Sequence, residues 1–240
     1  FMGTLIYIFA AWTIYGAIKH PYFANPLIYF PFILMGIDKI YKKEKPYIFI
    51  WSVAIAGLSN FYFFYMIGVL MVIYAIFRYF DQFADHSLKN IGKWIGIFAI
   101  YSVIAVLIAA VILLPVILPV LGTDRFNVEN YVPLFYDKIY YEKYLGCLIG
   151  EDMIQWGAAG FSAVSMAGVF VLFAKKKKYT VLKAGFILLN LFLLIPYAGH
   201  VLNGFSYVCN RWIWAYAMLI AYIFVKIYPE LFSLTQKEKQ

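Results

Sequence analysis

Apolar runs recur along the whole chain, each closed by a short basic or polar cluster, and this pattern leaves few folds open. A run such as that from about Ile91 to Leu114 suits a bilayer, where a helix of roughly 20 apolar residues crosses a hydrocarbon core of about 30 Å. Composition agrees. Of 240 residues, 65% are hydrophobic and 13% charged, and the mean hydropathy is +0.79. Soluble domains are nearer to about half apolar and a quarter charged. The runs are continuous rather than alternating, so they predict helices and not barrel strands. The expected fold is therefore all-α: a polytopic helical membrane protein with about eight transmembrane helices.

The clusters mark the span ends. The first span runs from about Met2 to Ile18, and the second from about Leu27 to Tyr41. Residues 46 to 79 run apolar to Arg78 with only "SNFY" at 59 to 62 as an interruption. At roughly 1.5 Å per residue a single straight helix of that length overshoots the bilayer, which predicts a hairpin of two spans turning at Ser59-Asn60. The remaining spans cover about Ile91 to Leu114, Ile154 to Ala174, Thr180 to Pro196 and Trp212 to Tyr228. No Gly/Ser linker divides the chain, which reads as one transmembrane domain, 1–240, with an extracytoplasmic loop at 115–153. Because it opens on Phe1 inside an apolar run, it is expected to be a segment of a longer protein.

The net charge of +8 does not signal nucleic acid, because the cations sit at span ends. Fifteen of the 20 Lys and Arg residues fall on one predicted side, including Lys39, Lys42, Lys43, Lys45, Arg78 and the "KKKK" of 175 to 178. Lys19, Arg125, Lys138, Lys143 and Arg211 fall on the other. The positive-inside bias places the protein in the cytoplasmic membrane with both ends of this segment cytoplasmic.

The opposite, outer face gathers polar residues from four loops. These are His20 and Asn25 in "KHPYFANP", Asn60 in "SNFY", Arg125 in "LGTDRFN", and His200, Asn203, Asn210 and Arg211 in "HVLNGFSYVCNRW". Singly, such residues often cap a helix or bond a carbonyl. As a set near membrane depth they are candidates for a site. A guanidinium is a planar, permanently charged fork for phosphate oxygens, amides suit sugar hydroxyls, and histidine can bond either or carry a proton. An anionic lipid headgroup bearing a sugar would use them all. Intramembrane acids, which a cation-coupled pump would need, are nearly absent; Asp38 sits beside Lys39 at the inner end.

Other chemistry is not signalled. There is no Gly-rich phosphate loop, HExxH or nucleophile elbow, and His20, His86 and His200 lack metal-ligand spacing. No metal or cofactor is expected. Cys147 and Cys209 fall on the same side, and no role is assigned to either. In the 115–153 loop, Tyr136, Tyr140 and Tyr144 are one helical turn apart, as in an interfacial helix whose acids face water. Glu151 and Asp152, just before the sixth span, are the acids best placed to serve as a base.

The stretches "KHPYFANPLIYFPFILMGIDKIYKKEKPYIFIWSVAIAGLSNFYFFYM" and "LNGFSYVCNRW", with "LPVLGTDRF" and "GFSA", resemble the bacterial YfhO membrane protein family. The resemblance implies a GT-C-like fold and glycosyl transfer. The donor would be a polyprenyl-phosphate sugar, and the acceptor an extracytoplasmic polymer such as a teichoic acid. GT-C enzymes place a catalytic acid in the first outer loop, which the resemblance puts upstream of Phe1. A lipid or solute transporter would instead need internal repeats and mid-membrane polar residues. A non-catalytic envelope-assembly scaffold would need neither Arg125 nor Arg211.

Overall fold

The structure, a computed structural model, describes residues 1–122, 131–150, 153–154, 157–161, 163–176 and 178–234. Eleven α-helices carry nearly all of these residues, and the one sheet among them is a two-residue antiparallel pairing, β1 (Met153–Ile154) with β2 (Gly157–Ala158). Helices satisfy their own backbone hydrogen bonds, which is why a chain this apolar adopts them. Three α-helices are long and apolar enough to cross a membrane: α5 (Phe61–Gln82), α6 (Leu88–Leu121) and α11 (Ile213–Ile227) with the 3-10 turn that extends it. A fourth such segment is α3 (Asn25–Tyr41) with the 3-10 turn Pro21–Ala24 before it. Two bent pairs bring the number of candidate spans among the described residues to six: α1 (Met2–Ile8) with α2 (Ala11–Lys19) at 43°, and α9 (Thr180–Leu194) with α10 (Pro196–Leu202) at 96°.

The other two expected spans are helices of shorter reach. α4 (Tyr47–Ser59) has 13 residues and α8 (Ala163–Ala174) has 12, and at about 1.5 Å per residue each is shorter than the hydrocarbon core. Each of the eight expected segments contains helix, but these two cannot cross alone, and the one expected from Ile154 opens on the β1–β2 pairing and is helical only from Ala163. α6 also runs one to two turns beyond its expected end at Leu114, through Pro115 and Pro119.

The chain packs as two units, residues 25–130 and residues 1–24 with 131–240. In the first, α3 and α4 are antiparallel and touch at Gly36, where a Cβ would lie 2.6 Å from the Phe49 Cα. Such small-residue contacts are how membrane helices approach closely where hydrophobicity offers no drive. The expected hairpin at 59–60 is present. Asn60 ends α4 and caps α5, its Oδ1 accepting from the Tyr62 (2.9 Å) and Phe63 (3.3 Å) amides. At the far end, Asp38 Oδ1 accepts from Arg78 Nε at 2.8 Å and Tyr74 Oη at 3.1 Å, and Arg78 also pairs with Asp81. Lys39, Lys42, Lys43, Lys45, Arg78, Lys89 and Lys93, all at α3, α5 or α6 termini or in the loop after α3, share this end. Lys39, in the last turn of α3, bonds Glu44 in that loop and holds its carboxyl below the usual range.

In the second unit α11 is the core, with Trp212, Trp214, Tyr216, Ile220 and Ile223 fully buried. α1 and α8 pack against it. Lys175 and Lys178 pair with Glu230, which gathers the start of α9 and the ends of α8 and α11 at one lysine-rich end. The break between α1 and α2 is bridged by the Ala11 amide, which donates to the Gly160 carbonyl at 2.9 Å. Irregular backbone at membrane depth is tolerated only when satisfied internally in this way.

Candidate functional site

The segment 200–212 lies at the end of its unit away from Lys175, Lys178 and Lys183. α9 stops at Leu194, Pro196 opens α10, and the 96° bend turns the chain across the direction of α9. After α10 the backbone takes two consecutive left-handed residues, Gly204 (φ 67°) and Phe205 (φ 57°). Three bonds hold that turn. The Phe205 amide donates to the His200 carbonyl at 3.0 Å, Asn203 Nδ2 to the Tyr207 carbonyl at 2.8 Å, and His200 Nδ1 to the Ser206 carbonyl. His200 and Asn203 thus order the loop.

Asn210 is fully buried. Its Nδ2 donates to Tyr136 Oη at 3.3 Å and Tyr140 Oη at 3.4 Å, while Oδ1 accepts from Trp212 Nε1 at 3.3 Å. Gly199 makes room for it, since a Cβ there would sit 2.9 Å from Asn210 Oδ1. These tyrosines belong to α7 (Lys138–Ile149) and the turn before it. Tyr140 Oη also donates to the Leu193 carbonyl at 2.5 Å, and Tyr141 Oη to the Leu194 carbonyl at 2.9 Å. Deeper, Asn190 Oδ1 accepts from Tyr144 Oη at 2.6 Å and Tyr216 Oη at 3.2 Å. α7 therefore runs antiparallel along α9, and its tyrosines turn inward instead of lying at an interface. The α9–α10 break leaves carbonyls without helical partners, and the phenols supply donors. Lys138 and Glu142, paired at 3.2 Å, are on the exposed side, as expected of the acids.

Arg211 begins the approach to α11, and its guanidinium carbon lies 5.6 Å from the Phe23 ring centre. Phe23 stacks on Trp12 (5.7 Å, 10°) and meets the exposed His20 ring at 4.8 Å. Two sequence candidates, His20 and Arg211, are thus brought onto one aromatic side chain. Phe23 was not among the candidates, and nothing in its local sequence sets it apart from the other phenylalanines. Asn190 was missed as well, although an amide inside an apolar run was a legible signal.

Asn25 and Asn60 belong to the other unit, at its end away from Lys39, Arg78 and Lys89. Asn25 Nδ2 donates to Ser59 Oγ at 2.7 Å, tying the start of α3 to the end of α4. Arg125, Glu151 and Asp152 lie outside the described residues. Cys147 and Cys209 are both buried and not joined to each other. Among the described residues no group of three His, Cys, Asp or Glu side chains could hold a metal ion.

The family profile "Bacterial membrane protein YfhO" matches residues 1–239. A curated protein of Bacillus subtilis (strain 168), described as "Uncharacterized protein YfhO", is 28% identical over 220 residues, 90% of this chain. The chain spans 24% of that relative's length. No solved structure matches it. With a profile match that runs almost end to end over a multi-pass helical architecture, the chain belongs to the YfhO family of bacterial membrane proteins.

Proposed function

We propose that this chain is the carrier-binding part of a membrane-embedded glycosyltransferase. It would take a sugar from a polyprenyl-phosphate carrier and pass it to an extracytoplasmic polymer of the teichoic-acid type. Arg211 binds the carrier phosphate, and His20, which meets the same Phe23 ring, lines the approach to it. His200, Asn203 and Asn210 hold the loop that carries Arg211. The catalytic base lies outside the described residues, in Glu151 or Asp152 or in the remainder of the full-length protein.

One observation carries this reading: Arg211 stands at the end of α11 away from Lys175 and Lys178, against Phe23, whose ring also meets His20. A guanidinium there can keep its stem along apolar surface while its charged fork stays at headgroup level. The orientation assumed is that of the charge bias, lysine-rich ends cytoplasmic.

The test is Arg211→Lys and Arg211→Ala in the full-length protein, read as glycosylation of the surface polymer with membrane protein level as control. Loss of a charge-assisted contact typically costs about 1.5–3 kcal/mol, roughly tenfold or more in binding. Ala is expected to abolish transfer at normal protein level, and Lys to weaken it. If Lys supports wild-type transfer and Ala fails only through lost protein, Arg211 is a structural anchor and the phosphate role is wrong.

A further inference from the structure

We infer that α10 and the turn after it form an aromatic wedge seated in the headgroup–acyl boundary of the bilayer, at the membrane face opposite the lysine-rich end. This rests on no assumption about catalysis.

Four observations meet there. First, the 96° bend at Ile195–Pro196 turns the chain from the direction of the crossing helix α9 to one across it. Second, residues 184–210 include no Asp, Glu, Lys or Arg, an unusual composition for a water-filled loop between two spans. Third, α10 is two-faced: Pro196, Gly199 and Leu202 are buried, whereas Tyr197 is exposed, as are Phe205 and Tyr207 in the turn. Fourth, α9 and its C-cap carry exposed apolar residues one helical turn apart, Ile187, Leu191 and Ile195, the last immediately before α10. Those residues face lipid in a chain of this class, and the wedge follows them directly in the chain. Tyrosine suits that depth, with its ring in the apolar layer and its hydroxyl in the wet one.

The backbone points the same way. Phe205 is 58% exposed yet sits at φ 57°, a conformation that is strained for a non-glycine residue and persists only when its surroundings enforce it. The His200 and Asn203 bonds do so. A loop that strains its backbone to push a phenyl ring outward needs a medium that receives the ring. A bilayer boundary does; water does not. Tyr207 is four residues before Arg211, so the depth of the wedge also sets the height of that guanidinium.

The test is spin-label accessibility in the full-length protein, reconstituted in phosphatidylglycerol–phosphatidylcholine vesicles. Labels are attached at Phe205→Cys, Tyr207→Cys and, at the opposite end, Lys176→Cys. Dissolved oxygen is expected to collide more often than a water-soluble nickel chelate at 205 and 207, and less often at 176. A nickel preference at 205 and 207 would put the loop in water and overturn the wedge. Low collision with both reagents would show it covered by another part of the protein, which overturns it equally. Phe205→Gly keeps the left-handed backbone and removes the ring, so a label at 207 should lose part of its oxygen preference. An unchanged preference there would mean that the ring does not anchor the loop.

Discussion

Arg211 and Phe23 are 188 positions apart in the chain, yet the guanidinium carbon of one lies 5.6 Å from the ring centre of the other. Phe23 also stacks on Trp12 and touches His20, so the first and last thirds of the chain meet at one ring.

Replacing that ring separates its role from that of the arginine. Phe23→Leu keeps apolar volume but removes the π face, a contact worth about 0.5–1 kcal/mol at exposed sites and more when desolvated. The proposed transfer by the full-length protein should fall severalfold, with thermal stability in detergent nearly unchanged. Wild-type transfer in this variant would show that Phe23 does not position Arg211.

The half-buried amide at 190 predicts non-additivity. Tyr144→Phe alone or Tyr216→Phe alone leaves Asn190 Oδ1 one phenol donor, and each should cost about 1 kcal/mol. The double variant leaves neither phenol, and its cost should exceed the sum of the singles by roughly 0.5 kcal/mol or more. Thermal unfolding of the four proteins in one detergent measures the cycle, and simple additivity would remove Asn190 as the shared acceptor.

Two glycines should respond oppositely to alanine. At Gly36 a Cβ would lie 2.6 Å from the Phe49 Cα, so Gly36→Ala must push α3 and α4 apart, at about 1–3 kcal/mol. At Gly96 in α6 nothing lies within 4 Å of the added atom, and the better helix propensity should leave stability unchanged or raise it by up to about 1 kcal/mol. Chemical or thermal unfolding of both variants shows whether packing outweighs propensity at the first and propensity prevails at the second.

The proposed orientation has its own measurement. Tyr131 is 89% exposed, and Lys176 is exposed at the lysine-rich turn. Tyr131→Cys should react with an impermeant thiol reagent added outside intact cells, and Lys176→Cys should react only after the membrane is opened. The reverse pattern would invert the topology and place Arg211 on the cytoplasmic side.

Much of this architecture was legible because hydropathy is a local property that sums along the chain. The apolar runs each marked a helix, although the one expected from Ile154 opens on the β1–β2 pairing, the polar Ser59-Asn60 pair marked the hairpin, and the basic clusters marked one end of each unit. Arg211 stood out because a guanidinium between two apolar runs is costly anywhere but near their ends. Tertiary structure decided what local sums cannot. Whether an amide meets sugar or protein depends on what faces it. Asn210 is enclosed by Tyr136 and Tyr140, 74 and 70 residues away, and Asn60 turned out to cap α5. Likewise, tyrosines one helical turn apart say only that they share a face. The direction of that face was set by the carbonyls of Leu193 and Leu194, freed where α9 breaks, which in an apolar surround must find a donor.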